Sequence, residues 1–357
     1  IQSPTATING NSATISGGPT SWTATYSMAS GDIEGAISFN ITGIADLTGN
    51  AAGDVSAVTD ATSVVFDKTA PTLTPVSIAS DNADTSLALP GNVITVTFTS
   101  DEDIATPSVT ILGNAATVSG GPTSWSASYT SQSGDTEGAV TFTISGISDL
   151  YGNITSDVSS VTDATSVTFD EAAPTIDSVS IASNNADTTK AKVGDQITVS
   201  FTASEDLQTP SATIMGNAAA ISGGPVSWTA TYTMLSGDAE GAVIFNITSI
   251  KDLVGNTAAD VSSVTDASSV AFDKTAPSIT PVSIASDNAD DSLALPGNVI
   301  TVTFTSDEDI ATPSVTILAN AATVSGGPTS WSASYTAQSG DTEGAVTFTI
   351  SGISDLY

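Results

Sequence analysis

The phrase VVFDKTAPT at Val64–Thr72 returns as VTFDEAAPT at Val167–Thr175 and as VAFDKTAPS at Val270–Ser278, so Pro71, Pro174 and Pro277 stand at a constant interval of 103 residues. The same interval separates Trp22, Trp125, Trp228 and Trp331, each closing an SGGPxSW phrase. A chain with this period is a tandem array. Its unit is about 100 residues, the size at which a domain buries a core of its own.

Aligned on the period, residues 1–67 match the last two-thirds of a unit, 68–170 and 171–273 are complete units, and 274–357 stop before the final strand. The sequence therefore reads as cut from a longer polypeptide. A second regularity lies on the first: 68–151 and 274–357 differ only at Thr72/Ser278, Leu73/Ile279, Thr85/Asp291, Gly113/Ala319 and Ser131/Ala337. The first unit resembles the third instead, as SWTATYSMASGD against SWTATYTMLSGD, so the units alternate as types A, B, A, B.

Inside a unit the hydrophobic period is that of strands. Ile94, Val96 and Phe98 alternate with threonines, and so do Val140, Phe142 and Ile144 with Thr141, Thr143 and Ser145. Trp125, Ala127 and Tyr129 share one face of SWSASYT, and LPGN, SGGP and SGDTEG supply the turns. The pattern predicts about seven strands, near 74–79, 93–99, 108–112, 115–118, 124–130, 139–146 and 165–169. Seven short strands without a helical pattern predict an all-β fold, a tandem array of immunoglobulin-like β-sandwiches with tryptophan in the core.

Composition narrows the function. There are 38 acidic and 5 basic residues, a net charge of −33, no cysteine and no histidine. The basic residues are the lysines Lys68, Lys190, Lys192, Lys251 and Lys274, too few to neutralise a phosphate backbone, which excludes nucleic acid as a partner. No apolar run approaches the ~20 residues of a membrane span, and no signal peptide is visible. Without histidine, cysteine or arginine there is no Ser-His or Cys-His pair and no bidentate clamp, which leaves only carboxylate-pair chemistry. Acids repeated in every turn do not read as one catalytic cleft, and the chain is expected not to be an enzyme.

The FDKTAPT linkers, the DLxGN phrase (Asp46–Asn50, Asp149–Asn153, Asp252–Asn256) and the GNVITVTFT strand resemble the bacterial Ig-like repeats strung along giant secreted surface proteins and adhesins. The resemblance covers the whole chain. It implies an extracellular, cell-surface, rod-like array, often with calcium at the junctions.

Sandwich topology sorts the acids into two poles. Loops after the second and sixth strands lie where the chain comes in, gathering Asp101, Glu102, Asp103, Asp149 and Asn153 near the linker residue Asp67. Loops after the first and fifth strands lie where it leaves, gathering Asp81, Asp84, Asp135 and Glu137 near Asp170. Asp252 and Asp273 hold the corresponding places in the next unit. Carboxylates this close repel by about 1 to 4 kcal/mol per pair at 4 Å, and a hard cation with oxygen ligands, calcium, would compensate. The other reading is that these are solvated turn residues making their own local hydrogen bonds. On either reading Pro71 stiffens the restart of the chain.

The outward strand positions are threonine and serine, so the flanks are neutral. Neutral flanks lack the charges that keep sheet edges apart, which allows lateral association of arrays into a filament or layer; threonine's β-propensity explains them equally. NIT at Asn40, Asn153 and Asn246 matches a glycosylation sequon. Two functions fit: structural repeats of an extracellular stalk, whose partners are neighbouring repeats of the same chain, or a glycan- or protein-binding module acting through its loops.

Overall fold

The computed structural model describes residues 1–357 in two compact units, Ile1–Ala172 and Ala173–Tyr357. Every regular element is a strand, and no helix is long and apolar enough to cross a membrane.

The complete repeat 68–170 shows how the alternation builds a sandwich. Val93–Ser100 and Ser124–Thr130 pair antiparallel with Phe98 opposite Trp125, Val96 opposite Ala127 and Ile94 opposite Tyr129. Successive side chains point to opposite faces of a strand, so this register places all six on one face. Val76 and Ile78 of Leu73–Ser80 extend that face, and Thr117–Gly120 completes the four-stranded sheet. Two smaller sheets share its core. One joins Asn114–Ala115, Ser108–Ile111 and Phe142–Ser145; the other joins Gly138–Ala139, Thr168–Phe169 and Leu87–Ala88. Repeat 171–273 follows the same plan, with Phe201, Trp228 and Phe272 in its core. The chain is all-β, an array of Ig-like β-sandwich domains.

The strands differ from the sequence expectation where the chain changes sheet. The run expected at 139–146 is two strands: Gly138–Ala139 pairs with Thr168–Phe169, and Phe142–Ser145 pairs with Ser108–Ile111. Val140 lies at the crossing and is half-buried, with its amide donating to Val167 O at 2.8 Å. The run expected near 115–118 is likewise two strands, Asn114–Ala115 and Thr117–Gly120, in different sheets, and Leu87–Ala88, too short to show alternation, lies outside every expected strand. A two-residue turn at Leu112 (φ 50°) and Gly113 (φ 77°) joins Ile111 to Asn114, both positions being left-handed as this hairpin geometry requires.

Candidate metal site at the joints

Asp67 directly follows the strand Val65–Phe66, Glu102 lies in the loop after Val93–Ser100, and Asp149 lies in the turn after Phe142–Ser145. One carboxylate oxygen from each falls within 4.8 Å of the others. Three separate segments thus deliver three acids to one point, and the sixth-strand and second-strand loops meet the linker at the pole that the topology predicts.

The three are held by different means. Asp149 is buried, and its Oδ1 accepts the amides of Tyr151 (2.8 Å), Gly152 (2.6 Å) and Asn153 (2.9 Å), while Oδ2 accepts Asn153 Nδ2 at 2.7 Å. Gly152 at φ 97° is what lets the turn curl tightly enough for these amides to converge. Burial works against its ionisation, but these donors outweigh it, and the Asp149 carboxyl stays below the ordinary aspartate range. Asp252 repeats the arrangement, 1% exposed, accepting Gly255 N at 2.6 Å and Asn256 Nδ2 at 2.8 Å. Glu102 is the opposite case: burial first, then the charges of Asp67, Asp149, Asp101 and Glu34, push its carboxyl above the usual glutamate value. Its counterpart Glu308 is raised in the same way, by burial and then by Asp273, Asp355 and Asp307. Within Ala173–Tyr357, the Asp355 loop meets the preceding repeat, where Lys190 Nζ donates to Leu356 O at 3.3 Å and lies 4.9 Å from the Tyr357 ring.

Most of the other acids singled out in the sequence accept hydrogen bonds from their own turn or from a neighbouring segment. Asp101 accepts Thr72 N (2.8 Å) and Thr72 Oγ1 (2.7 Å), tying its loop to the start of the first strand, and these bonds hold its carboxyl below the ordinary range. Asp103 is exposed and is not one of the three. At the other pole, Asp81 accepts Val93 N at 2.8 Å, Asp84 accepts Ser86 Oγ at 2.6 Å, and Asp135 accepts Tyr129 Oη, Gln132 N and Asn114 Nδ2. These three do not come together as a ligand set. Asp170 and Asp273 each cap the linker by accepting the amide two residues on, from Ala172 and Thr275, both at 2.9 Å. The sequon residue Asn153 spends its side-chain nitrogen on Asp149.

Sequence reasoning missed how the linker is gripped. The acid of each GDxEG turn accepts the amide of the residue after the linker aspartate: Glu34 from Lys68 (2.9 Å), Glu137 from Glu171 (3.2 Å) and Glu240 from Lys274 (3.0 Å). The signal was present as a fixed spacing of 34 residues between the two partners.

The three donors are carboxylate oxygens drawn from the linker and two loops, and the charges of Asp67 and Asp149 bear on Glu102. That donor set suits a hard divalent cation such as calcium.

No protein-family model and no curated protein sequence matches the chain. Among solved structures, the titin I-band fragment I67–I69 is similar at 9% identity, covering 79% of this chain and 97% of that one, with a TM-score of 0.34. Sidekick-1 immunoglobulin domains 1–4 cover 98% of this chain and 89% of that one at 12% identity and a TM-score of 0.24. A Bacteroides ovatus mixed-linkage glucan utilization locus protein, SGBP-B, in complex with a mixed-linkage heptasaccharide, covers 99% and 87% at 12% identity and a TM-score of 0.17. At these identities and scores the likeness carries no information about function.

Proposed function

We propose that the chain is a stretch of structural repeats from an extracellular rod, stalk or filament of a long bacterial surface or adhesin-type protein, with its domain junctions stiffened by calcium. The observation that supports this reading most is the meeting of Asp67, Glu102 and Asp149, one from a linker and two from loops of the repeat that the linker enters. A cation held there would tie the linker to the following sandwich. Each sandwich has its own core, so the metal would set the stiffness of joints more than the folding of repeats. Neighbouring repeats are then the partners of the site, and the threonine-rich flanks leave room for arrays to associate side by side.

Small-angle scattering on the chain with calcium and then with chelator tests the reading. With calcium each complete repeat should add roughly 40 Å, from strands of about seven residues at ~3.3 Å each plus loops. Chelator should shorten the maximum dimension while the β-sheet circular dichroism persists, and Asp67→Ala with Asp273→Ala should reproduce that loss. An equally long and stiff particle in chelator would show the carboxylates to be solvated turns, with the joint held by packing around the proline.

A further inference from the structure

Lysine is scarce in this acidic chain, yet Lys190 and Lys192 fall together at the pole from which repeat 171–273 hands the chain on. The amide of the linker residue Asp273 donates to Ala191 O, between them, at 2.9 Å. Type B repeats carry no charge at these places, which hold Leu87 and Leu89 in 68–170 and Leu293 and Leu295 in 274–357. The turn at the opposite, entry pole is exchanged in step: it reads Asp-Leu-Tyr in type B, ending at Tyr151 and Tyr357, where type A places Thr48 and Val254. Lysine before the joint and tyrosine after it thus belong to one order only, A followed by B.

Within Ala173–Tyr357 the two sides meet. Lys190 Nζ donates to the peptide carbonyl of Leu356 at 3.3 Å and stands 4.9 Å from the centroid of the Tyr357 ring. The turn that carries these partners is fixed by bonds inside its own repeat. Tyr357 N donates to Asp355 Oδ1 at 2.9 Å and Ala311 N to Ser354 O at 2.9 Å; in the complete repeat Tyr151 N donates to Asp149 Oδ1 at 2.8 Å and Ala105 N to Ser148 O at 2.9 Å. The backbone of the turn therefore stands as it does in a complete type B repeat. An ammonium within about 6 Å of a tyrosine centroid is attracted by the ring's quadrupole, and its bond to the carbonyl adds direction.

We propose that the exit pole of a type A repeat, through Lys190, is a docking surface for the Asp-Leu-Tyr turn of a type B repeat, a clasp that selects a type B repeat as the follower and holds that joint without metal. It rests on the reading of the chain as a jointed array, and it adds to the joint a contact independent of the carboxylate trio. Valine or threonine in the turn has no π-face, and leucine at the pole has no charge. An A repeat followed by A, or a B repeat followed by B, therefore lacks the pair. Both partners are exposed enough for the clasp to form after each sandwich has folded on its own core, so it governs the angle between repeats and not their folding.

The chain has no cysteine, so Ser222→Cys in the type A repeat and Ser325→Cys in the type B repeat place two spin labels without background. The width of the distance distribution between them, read by pulsed electron spin resonance on the full chain in calcium and in chelator, reports the stiffness of this joint. Lys190→Leu and Tyr357→Val each install the residue that the other repeat type carries at that place, so both sandwiches keep their fold. In chelator each should broaden the distribution about twofold, and the double variant no further than either alone, because losing one partner already loses the pair. Tyr357→Phe keeps the ring and should keep the narrow distribution. Unchanged widths in Lys190→Leu or Tyr357→Val, a double variant that broadens by the sum of the two, or Tyr357→Phe broadening as much as Tyr357→Val would each overturn the clasp. Failure of the calcium reading shows separately, as no response to the ion in any of these chains.

Discussion

At the linker leaving the first repeat, Lys68 gives its amide to Glu34 and its ammonium to two carbonyls of the preceding turn, Ser30 O at 2.8 Å and Asp32 O at 2.7 Å. Lys274 does the same after the third repeat, reaching Ser236 O at 3.1 Å and Asp238 O at 2.7 Å. At the linker leaving repeat 68–170 the amide again goes to a glutamate, Glu137, but Glu171 stands where the lysine was and accepts Gly134 N at 3.0 Å. The backbone slot is the same and the charge is reversed. The strand starts that follow differ as well: Asp101 and Asp307 receive the type B chain through Thr72 and Ser278, whereas Ser204 receives the type A chain through Thr175 N at 3.0 Å. Alternation of repeat types is therefore an alternation of joint chemistry, with a hooked cation after each A repeat and an added carboxylate after the B repeat.

The sharpest way to break this comparison is to rewrite one linker as the other. Lys274→Glu with Thr275→Ala removes the ammonium hook and the hydroxyl that meets Glu240. Amide exchange in the turn Ser236–Glu240 should quicken roughly tenfold, from the loss of charge-assisted bonds to partly buried carbonyls. Unchanged exchange would mean that the lysines are solvated and the joints equivalent.

Acid should separate the strand starts by a smaller margin. Hydrogen bonds from Thr72 and Ser278 lower the Asp101 and Asp307 carboxyls from the model-compound value of 3.8. Their stabilisation is present above that value and is lost as pH falls through the depressed folded-state value. Ser204 does not titrate. In an NMR titration below about pH 4, the Thr72 and Ser278 amides should lose protection several-fold while that of Thr175 holds, and Asp101→Ser should make Thr72 behave like Thr175.

The smallest effect belongs to Glu102, half-exposed and screened by salt. Its folded-state carboxyl is raised above 4.5, so its contribution is fullest below that value and is lost as pH rises through the folded-state value. In low-salt, metal-free buffer the Asp67–Thr69 amides, once exchange is corrected for its intrinsic base catalysis, should be better protected near pH 5 than at neutrality. Glu102→Gln should flatten that profile; an unaltered profile would show that the three carboxylates do not feel one another.

Strand alternation made the large sheet readable in the sequence, because Ile94, Val96 and Phe98 and their partners Tyr129, Ala127 and Trp125 each sit in runs long enough to show a period of two. The small sheets were not readable: Leu87–Ala88 is defined only by its pairing with Thr168–Phe169, some eighty positions later. Asp149 and Asp67 were found as acids near a joint because the DLxGN and FDKT phrases recur, and loop topology brought them together. What recurrence could not show is that Asp149 Oδ1 takes three amides of its own turn, which depends on how tightly that turn curls, or that Glu137 faces the linker backbone, which depends on the path of the chain between distant residues. The distal acids misled for a related reason. Asp81, Asp84 and Asp135 lie at turns as expected, but their oxygens accept from nearby amides and hydroxyls, and Asp135 also from Asn114 on another hairpin.

The segment that closes each complete sandwich also decides how it responds to tension. Thr162 and Thr165 advance along Val76 and Ile78 in the same sense, and Thr168–Phe169 runs parallel to Leu87–Ala88. The first strand is entered from one neighbour and the last is left toward the next, so a pull on the chain drives these parallel segments past each other lengthwise. Their hydrogen bonds are loaded in shear and must fail together, where a hairpin pulled from its open end would unzip one rung at a time. A repeat built in this way resists extension through the rate at which that whole patch gives way.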